Sequence, residues 1–265
     1  MKKKFGQNFL INFDIISKII IHAKINKHSD VLEIGPGDGA LSKEIVKKKP
    51  SKYIAVEIDY LLKNKIEKIF NNTNYKLIFE DALKFDEQFF FKNKIILISN
   101  LPYNISIPLL IKWTYLTSSY SWCSRMILMF QKEVADRIIS NENSKKFGRI
   151  SILVSAFFKI TKLFDVPKEN FFPVPKVNSS VLLFEPLQKK KITSENLKAL
   201  ELLSHELFKN RRKKIKNKLK KLFNDSEIKS NNLEKLYDLR AENLNKSIFY
   251  SLAKILSKSI LCKTV

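Results

Sequence analysis

The chain has 265 residues, 45% of them hydrophobic and 20 of them Phe, which is enough apolar material for sizeable cores and excludes an intrinsically disordered protein. Lys and Arg number 49 against 26 Asp and Glu, and the formal charge is +23. So large a positive charge points to a polyanionic partner, either nucleic acid or an anionic membrane surface.

The first half of the chain alternates helical and strand patterns. Apolar residues at helical spacing predict a helix over residues 15–23, and short β-branched runs after it predict strands. The predicted strands are residues 31–34, 53–58, 76–79 and 95–99, with helices at 40–49 and 60–70. Strands separated by segments of helical length favour right-handed βαβ units and a mostly parallel sheet.

Three more predicted strands follow before residue 188. They cover residues 125–130, 159–164 and 180–185, and the segment 132–139 after the first of them has a helical pattern. About seven strands in a segment of this length are typical of one doubly wound domain. We therefore predict a Rossmann-like α/β domain over residues 1–187.

The remaining segment, residues 188–265, has no convincing strand. Phe208, Ile215, Leu219 and Leu222 recur at helical spacing, and 20 basic residues outnumber 8 acidic ones. This pattern predicts a small, basic, all-helical domain that binds RNA.

The cysteines and the apolar runs bear on the cell compartment. Cys123 and Cys262 are isolated, and neither lies in a cluster with histidine. No apolar run is long enough to span a membrane. We expect a cytoplasmic protein with reduced thiols, no bound metal, no export signal and no membrane partner.

A glycine-rich turn follows the first predicted strand. Gly35, Gly37 and Gly39 precede a helix, and without a Cβ they let a ligand approach the backbone closely. Glu57 ends the second strand, where a carboxylate can accept hydrogen bonds from both hydroxyls of an adenosine ribose. Because a nicotinamide-binding turn shares these features, they predict an adenosine-containing cofactor and leave its identity open.

Two further acidic residues favour S-adenosylmethionine. Glu33 gives the pattern E-x-G-x-G-x-G, which is typical of binding sites for that cofactor. Asp81 follows the third strand, where its carboxylate can accept a hydrogen bond from the adenine amine, although it can equally cap the next turn. Ligand-binding groups thus follow four strands in succession, at the edge of the sheet where open α/β folds bind ligands.

The fourth of these strands ends in the sequence N-L-P-Y. The exocyclic amine of adenine is a poor nucleophile, because its lone pair is delocalised into the ring. Hydrogen bonds from that amine to the Asn100 side-chain oxygen and the Leu101 carbonyl would draw the nitrogen toward tetrahedral geometry and free the lone pair. Pro102 stiffens the loop, and Tyr103 offers a face for base stacking. The loop predicts adenine methylation by positioning; an ordinary turn is the alternative.

Two charged segments have a predicted role in binding RNA. Residues 209–221 contain nine Lys or Arg and no acid, and they predict a helix whose cationic face, including Arg211, Arg212, Lys213 and Lys214, contacts the RNA backbone. A solvated face is the alternative. Residues 1–10 have Phe5, Phe9 and Leu10 available to cover the cofactor, while Lys2, Lys3 and Lys4 would meet phosphate; a frayed tail is the alternative.

Six ordered segments resemble one known family. They are KFGQNFL (4–10), EIGPGDGALS (33–42), VEID (56–59), NLPYNIS (100–106), QKEVADR (131–137) and FFPVPKVNSS (171–180). Together they are similar to the ribosomal RNA adenine dimethyltransferases that modify two adjacent adenines near the 3′ end of small-subunit RNA. The resemblance covers almost the whole chain.

The resemblance implies a role for particular residues. It implies cofactor contacts for Asn8, Leu10, Gly35, Glu57, Asp81 and Asn100, with S-adenosylmethionine as the cofactor. It implies that Phe171 and the loop of Asn100, Leu101, Pro102 and Tyr103 hold the target adenine. Phe172 is adjacent, and the sequence does not decide which of the two rings faces the base.

The resemblance also implies a partner, small-subunit ribosomal RNA in a partly assembled 30S-type particle, and a monomeric enzyme that contributes to subunit biogenesis. Two alternatives remain from the sequence. One is a large-subunit adenine methyltransferase of the macrolide-resistance type, which shares the N-(L/I)-P-Y-N and P-K-V-x-S motifs; QKEVADR resembles the small-subunit enzymes better. The other is a ribosome-assembly or transcription factor without catalysis. A nicotinamide oxidoreductase is disfavoured, because nothing after Asp81 supplies a hydride-transfer site.

Overall fold

The computed structural model describes residues 7–71 and 73–262, with the side chains of residues 260–262 left out. The roles predicted for Lys2, Lys3, Lys4 and Phe5 therefore lie outside the described residues. The chain forms two compact units. The first comprises the residues up to Ala135 together with Lys159–Pro186, and the second comprises Asp136–Phe158 together with the residues from Leu187 onward.

A seven-stranded sheet forms the centre of the first unit. The strands in chain order are β1 (Phe9–Leu10), β2 (Asp30–Ile34), β3 (Lys52–Glu57), β4 (Lys76–Phe79), β5 (Ile95–Asn100), β6 (Cys123–Gln131), β7 (Phe158–Val166), β8 (Phe171–Phe172) and β9 (Ser179–Pro186). The large sheet has the order β4-β3-β2-β5-β6-β9-β7, and β1 pairs with β8 in a separate two-stranded sheet. Neighbours from β4 to β6 are parallel, whereas β6 and β9 are antiparallel.

The helices of the first unit are α1 (Phe13–Ala23), α2 (Ala40–Lys47), α3 (Lys63–Phe70), α4 (Glu87–Phe90) and α5 (Ser106–Ser119). Two of them begin at a residue whose side chain caps the helix. The Asn12 side chain accepts hydrogen bonds from the backbone of Asp14 and Ile15 and so caps α1, and Asp86 caps α4 in the same way. Both helices therefore begin at a residue that the sequence itself specifies.

The order of the strands positions the site. The chain passes from β2 outward to β3 and β4, and then returns to place β5 on the other side of β2. The carboxyl ends of β2 and β5 therefore flank the point where strand order reverses, which is the ligand crevice of open α/β sheets. Every residue of β2 is buried, as expected for a parallel strand covered by helices on both faces.

The second unit is helical. Helix α6 (Lys132–Ile139) leads into it, and its other helices are α7 (Arg149–Ser155), α8 (Glu195–Phe208), α9 (Lys216–Leu222), α10 (Asp225–Ser230) and α11 (Lys246–Cys262). The rings of Phe147, Phe208 and Phe249 form its aromatic centre, with centroids 5.9–6.2 Å apart. The sequence places the boundary between the two domains at residue 187, but residues 136–158 also belong to the second unit. Phe147 of this segment packs with the helical residues Phe208 and Phe249.

The basic segment 209–221 is not one helix, which corrects the sequence prediction. Helix α8 ends at Phe208, residues 209–215 form turns, and α9 begins at Lys216. The turns persist because Ile215 is fully buried and its backbone N–H donates to the Leu239 carbonyl at 2.9 Å. Tertiary contacts thus override the local helical pattern.

The seven predicted strands all occur in the large sheet, and the predicted Rossmann-like fold class is confirmed. Across the described ranges, none of the helices combines the length and the apolar character needed to cross a membrane.

Candidate active site

A cavity lies at the carboxyl ends of β2, β3 and β5. Four short segments line it, together with Ala40 and Leu41 of α2. The segments are residues 7–10, 35–38, 57–58 and 100–103. The structure therefore brings together the N-terminal segment, the glycine-rich turn, the end of β3 and the N-L-P-Y loop, as the sequence predicts.

The glycine-rich turn requires backbone conformations that favour glycine. Gly35 and Gly37 have φ angles of +68° and +60°, which lie in the left-handed region. A Cβ on Gly37 would also stand 3.0 Å from the Phe9 ring. The turn can therefore approach both the N-terminal segment and a ligand in the cavity more closely than other residues would allow.

Glu57 fixes the glycine-rich turn from the neighbouring strand. One carboxylate oxygen, Oε2, accepts a hydrogen bond from the Gly37 N–H at 3.1 Å. The other, Oε1, accepts from the N–H groups of Ile58 and Asp59, both at 2.9 Å. Burial raises the pKa of the Glu57 carboxyl, while these three backbone donors favour its ionised form. A carboxylate with fixed orientation thus lines the cavity.

Glu33 does not line the cavity but lies beneath the turn. Its Oε2 atom accepts hydrogen bonds from the Ser42 hydroxyl at 2.7 Å and from the Tyr53 hydroxyl. Its Oε1 atom is buried without a hydrogen-bond partner in the described structure, and burial raises the pKa of the carboxyl to about 7. The acidic residue of the E-x-G-x-G-x-G motif therefore supports the turn from within the core.

The Asn100 amide has a defined orientation. Its Nδ2 donates to the Asn8 carbonyl at 3.0 Å, which leaves Oδ1 as the acceptor for another group. Leu101 is buried apart from 2% of its surface, and the carbonyl of Pro102 accepts from the Ile105 N–H at 3.2 Å. The loop after β5 is thus held by its own turn and by the N-terminal segment.

Tyr103 is held by hydrogen bonds at its side-chain hydroxyl and at its backbone carbonyl. Its hydroxyl and the Ser179 hydroxyl form a hydrogen bond of 2.8 Å, and its backbone carbonyl accepts from the Ser106 hydroxyl at 2.9 Å. Burial raises the pKa of the Tyr103 hydroxyl, so the ring is neutral at physiological pH. Sequence reasoning missed Ser179 as a site residue, although it lies in the FFPVPKVNSS segment.

The N-terminal segment is tied to the segment before β8. Strand β1 pairs antiparallel with β8, and Phe9 lies opposite Phe172. Beside this pair the Ile11 N–H donates to the Asn170 carbonyl at 2.9 Å, and the Asn12 and Asn170 side chains form a hydrogen bond of 2.7 Å. These contacts keep Asn8 and Leu10 in the cavity wall. Nothing in the periodicity of the sequence predicts this pairing, since each strand has two residues.

The two adjacent phenylalanines have different environments. Phe171 is 1% exposed and belongs to the apolar core with Leu10, whereas Phe172 is 67% exposed. In an antiparallel pair, directly opposite residues share a face, so the Phe172 side chain lies on the same face as that of Phe9. The expectation that the Phe171 ring holds the target base does not fit its burial. Phe172 is the accessible ring.

Asp81 does not line the cavity with the other predicted residues. It lies at the same edge of the sheet, two residues after β4, and the Glu80 N–H donates to the Glu57 carbonyl at 2.9 Å. The Asp81 Oδ1 atom accepts from the Leu83 N–H at 2.9 Å. Asp81 thus has the turn-capping contact that the sequence allowed, beside the strand end that carries Glu57.

The four basic residues predicted to bind RNA differ in their contacts and in their exposure to solvent. Arg211 Nε donates to the Glu242 carboxylate at 2.6 Å, and its guanidinium donates to the Ser144 carbonyl at 2.9 Å. Lys214 contacts the exposed Asp238 carboxylate at 2.6 Å. Arg212 and Lys213 are exposed. The segment therefore combines one structural arginine with cations that face solvent.

Fold and site together define the class of protein. A doubly wound sheet places a glycine-rich turn, the fixed Glu57 carboxylate and an oriented asparagine amide around one cavity at its switch point. No group of three or more potential metal ligands occurs in the part of the chain that the structure describes. The arrangement is that of a Rossmann-like methyltransferase.

Comparison with known proteins identifies the family. The model of the family described as "Ribosomal RNA adenine dimethylase" matches residues 1–258. "Ribosomal RNA small subunit methyltransferase A" of Pelagibacter ubique (strain HTCC1062) is 39% identical over 257 residues, which cover 96% of this chain and 95% of the relative. The protein of the same description from Francisella tularensis subsp. novicida (strain U112) is 38% identical over 263 residues, 97% of each chain. The chain belongs to the ribosomal RNA adenine dimethylase family, which confirms the resemblance.

Solved structures agree with this assignment. A dimethyladenosine transferase from Plasmodium falciparum is 26% identical with a TM-score of 0.76, and the match covers 97% of this chain and 98% of the other. The 23S rRNA methyltransferase ErmE has a TM-score of 0.70 at 20% identity, with 94% of this chain and 99% of the other covered. The second likeness reflects the shared fold alone.

Proposed function

We propose that this enzyme dimethylates the exocyclic amino groups of two adjacent adenines near the 3′ end of small-subunit ribosomal RNA, with S-adenosylmethionine as methyl donor. The observation that carries the proposal is the Asn100 amide. Its Nδ2 is engaged by the Asn8 carbonyl, so that Oδ1 remains to accept a hydrogen bond at the edge of the cavity. An adenine amine is a group that donates such a bond.

The cavity fits the cofactor on three counts. Gly35 and Gly37 line the cavity without a Cβ, Glu57 presents a carboxylate of fixed orientation for the ribose hydroxyls, and Asn8 and Leu10 form part of the cavity wall. Asp81, beyond the end of β4, is available for the adenine amine. S-adenosylmethionine supplies an electrophilic methyl group on a sulfonium centre, and its departure leaves a neutral thioether.

The N-L-P-Y loop activates the target amine. Before the first transfer, Asn100 Oδ1 and the Leu101 carbonyl accept hydrogen bonds from its two N–H groups, which favours a tetrahedral nitrogen whose lone pair points at the methyl group. Tyr103, fixed by Ser179, offers its ring to the base. The exposed Phe172 ring, on the face of the β1–β8 pair that carries Phe9, contacts the nucleotide. Positioning and hydrogen bonding carry the catalysis, because no strong base is required to deprotonate the methylated nitrogen.

The first unit binds the cofactor and target base, and the second binds the RNA backbone through its exposed cations. We infer that the substrate is small-subunit RNA within a partly assembled 30S-type particle, that the enzyme acts as a cytoplasmic monomer, and that the reaction serves subunit biogenesis. The formal charge of +23 supports a large polyanionic substrate.

Replacement of Asn100 by Ala tests the proposed chemistry. Loss of the oriented acceptor should lower the single-turnover methyl-transfer rate by about 100-fold or more, since the hydrogen bond strengthens as the nitrogen becomes tetrahedral. The assay uses labelled S-adenosylmethionine at saturation, with small-subunit and large-subunit particles as separate substrates. Calorimetry on the same variant reports any loss of cofactor affinity.

Two outcomes would contradict the proposal. A near wild-type rate for the Asn100→Ala enzyme would exclude Asn100 from the reaction. Preferential methylation of large-subunit particles by the unaltered enzyme would instead keep the chemistry and overturn the substrate.

A further inference from the structure

Lys112 connects helix α5 to the segment that follows β4. Its ammonium donates to the carbonyls of Ala82 at 2.9 Å and Phe85 at 2.5 Å, and to the Glu87 carboxylate at 2.9 Å. A lysine ammonium has three protons, and these three acceptors use all of them. The side chain is only 24% exposed, so this arrangement is not an ordinary surface ion pair.

The segment that Lys112 holds begins with Asp81. The backbone carbonyl of Asp81 accepts from the N–H groups of Lys84 at 2.8 Å and Phe85 at 3.0 Å, and its Oδ1 accepts from the Leu83 N–H at 2.9 Å. Residues 81–85 thus form one tight turn. Two carbonyls of that turn, those of Ala82 and Phe85, point at Lys112. No described residue forms a hydrogen bond with the second Asp81 carboxylate oxygen, Oδ2.

The third acceptor of Lys112 is itself fixed. Glu87 is 4% exposed, and its Oε1 atom also accepts a hydrogen bond from Trp113 Nε1 at 2.8 Å. Trp113 is fully buried next to Lys112 on α5. Lys112 therefore places the Asp81 turn relative to a helix that begins directly after the Asn100–Tyr103 loop. One helix follows the proposed base-binding loop and holds the turn at Asp81.

We propose that Lys112 is a positioning residue for cofactor binding, which sets the turn so that the Asp81 carboxylate faces the adenine of S-adenosylmethionine. This inference rests on the proposed function, in which Asp81 accepts a hydrogen bond from the adenine amine. Without the ammonium, the carbonyls of Ala82 and Phe85 lose this donor, and the buried Glu87 carboxylate keeps only its hydrogen bond from Trp113. The turn then relaxes and Oδ2 is no longer held in place.

Replacement of Lys112 by Met, which keeps the length of the side chain and removes its donors, tests the proposal. The KM for S-adenosylmethionine should rise about tenfold with kcat at saturating cofactor within about twofold of wild type, because only binding is affected. Lys112→Arg, which restores a cation and donors, should recover part of the affinity. Lys92→Met is the matched control, since Lys92 is an exposed lysine between β4 and β5 whose ammonium makes only a long hydrogen bond, 3.5 Å, to the Gln88 carbonyl among the described residues.

A double-mutant cycle separates positioning from general stability. If Lys112 acts through Asp81, Asp81→Ala should weaken cofactor binding in calorimetry, and adding Lys112→Met to that variant should change the affinity less than about twofold. Fully additive losses, or an unchanged KM in Lys112→Met, would overturn the proposal. If Lys112→Met does not fold, the same cycle with Lys112→Gln, which keeps a donor, distinguishes additive from non-additive losses.

The cofactor affinity of Asp81→Ala alone separates the cofactor role proposed for Asp81 from the positioning role proposed for Lys112. Unchanged cofactor affinity in that variant would remove Asp81 from the proposed cofactor site, and the role of Lys112 would fail with it. Weakened affinity in Asp81→Ala together with normal affinity in Lys112→Met would leave the proposed function in place and refute the positioning role only.

Discussion

The Glu33 carboxyl lies in the core beneath the glycine-rich turn, 1% exposed. Two hydroxyls, those of Ser42 and Tyr53, donate to the same oxygen, and the other oxygen has no partner among the described residues. Desolvation by burial outweighs these hydrogen bonds and raises the pKa of the carboxyl to about 7. A considerable fraction of the folded molecules therefore carries a neutral Glu33 at physiological pH.

This raised pKa predicts a pH-dependent contribution to stability. The folded state binds the Glu33 proton more tightly than the unfolded state, so this contribution falls as pH rises from 4.5 to about 7, a loss of about 3 kcal/mol in all. Below the unfolded pKa both states are protonated, so the contribution is fully present and no longer changes with pH. Glu33→Gln, which is neutral at every pH, should therefore gain stability relative to wild type as pH rises through this window.

Urea unfolding of both proteins at several pH values between about 5 and about 8 measures the effect. The difference in unfolding free energy between Glu33→Gln and wild type removes the contributions of all other ionisable groups that the two proteins share. A difference that stays constant across the range would show that Glu33 is ionised in the folded protein throughout.

In the short strand β8, the alternation of side chains between the two faces decides which phenylalanine is buried and which is exposed. Its pairing with β1 turns Phe171 toward the core and leaves Phe172 exposed. Motif resemblance implies Phe171 as the base contact, because the motif records which residue types occur and not which face of a strand they occupy. The pairing partner lies more than 150 residues away in sequence, so the register could be read only from the folded chain.

Alanine replacements at the two positions should have opposite effects. Phe171→Ala removes a buried ring from the core and should destabilise the protein by about 3–5 kcal/mol. Phe172→Ala should leave the unfolding free energy almost unchanged and lower RNA-particle affinity, since a stacking contact with a base is worth about 1–3 kcal/mol. Urea unfolding and filter binding on both variants make the comparison. Normal RNA affinity in Phe172→Ala would exclude that ring from the interface.

An element can be predicted from the sequence when a local pattern of residues stabilises it, and cannot when contacts with distant residues do. The central strands β2, β5 and β6 are mostly apolar runs buried on both faces, and all seven strands of the large sheet were predictable. Residues 209–215 have a helical pattern, yet they form turns because Arg211 binds Glu242 and the Ser144 carbonyl. Lys112 and Ser179 act on the site through contacts distant in sequence. No local pattern marks Lys112, and Ser179 is marked only as a member of the FFPVPKVNSS segment.

Over the whole molecule, net charge overstates the number of cations available to RNA. Arg211 is committed to Glu242 and Ser144, and Lys218 donates to the carbonyls of Leu207 at 2.5 Å and Asn210 at 3.1 Å, where it neutralises the end of helix α8. Arg212 and Lys213, which lie between them, are exposed. The segment can therefore contact RNA through some of its cations and stabilise the second unit through others.

Because Arg211 contacts Glu242 and Ser144 whereas Arg212 is exposed, replacing each of these neighbouring arginines should have a different effect on RNA binding and on stability. Replacing Arg212 and Lys213 with Gln should lower RNA-particle affinity and flatten the plot of log affinity against log salt by about 0.7 for each phosphate that the protein no longer neutralises, because fewer counterions are released on binding. Arg211→Gln removes one cation of the same run, but it should mainly lower the midpoint of urea unfolding, because Glu242 and the Ser144 carbonyl lose their donor. Binding measured over a range of salt concentrations separates the two effects. A salt slope that changes as much in Arg211→Gln as in either single replacement, Arg212→Gln or Lys213→Gln, would show that Arg211 leaves Glu242 to bind phosphate.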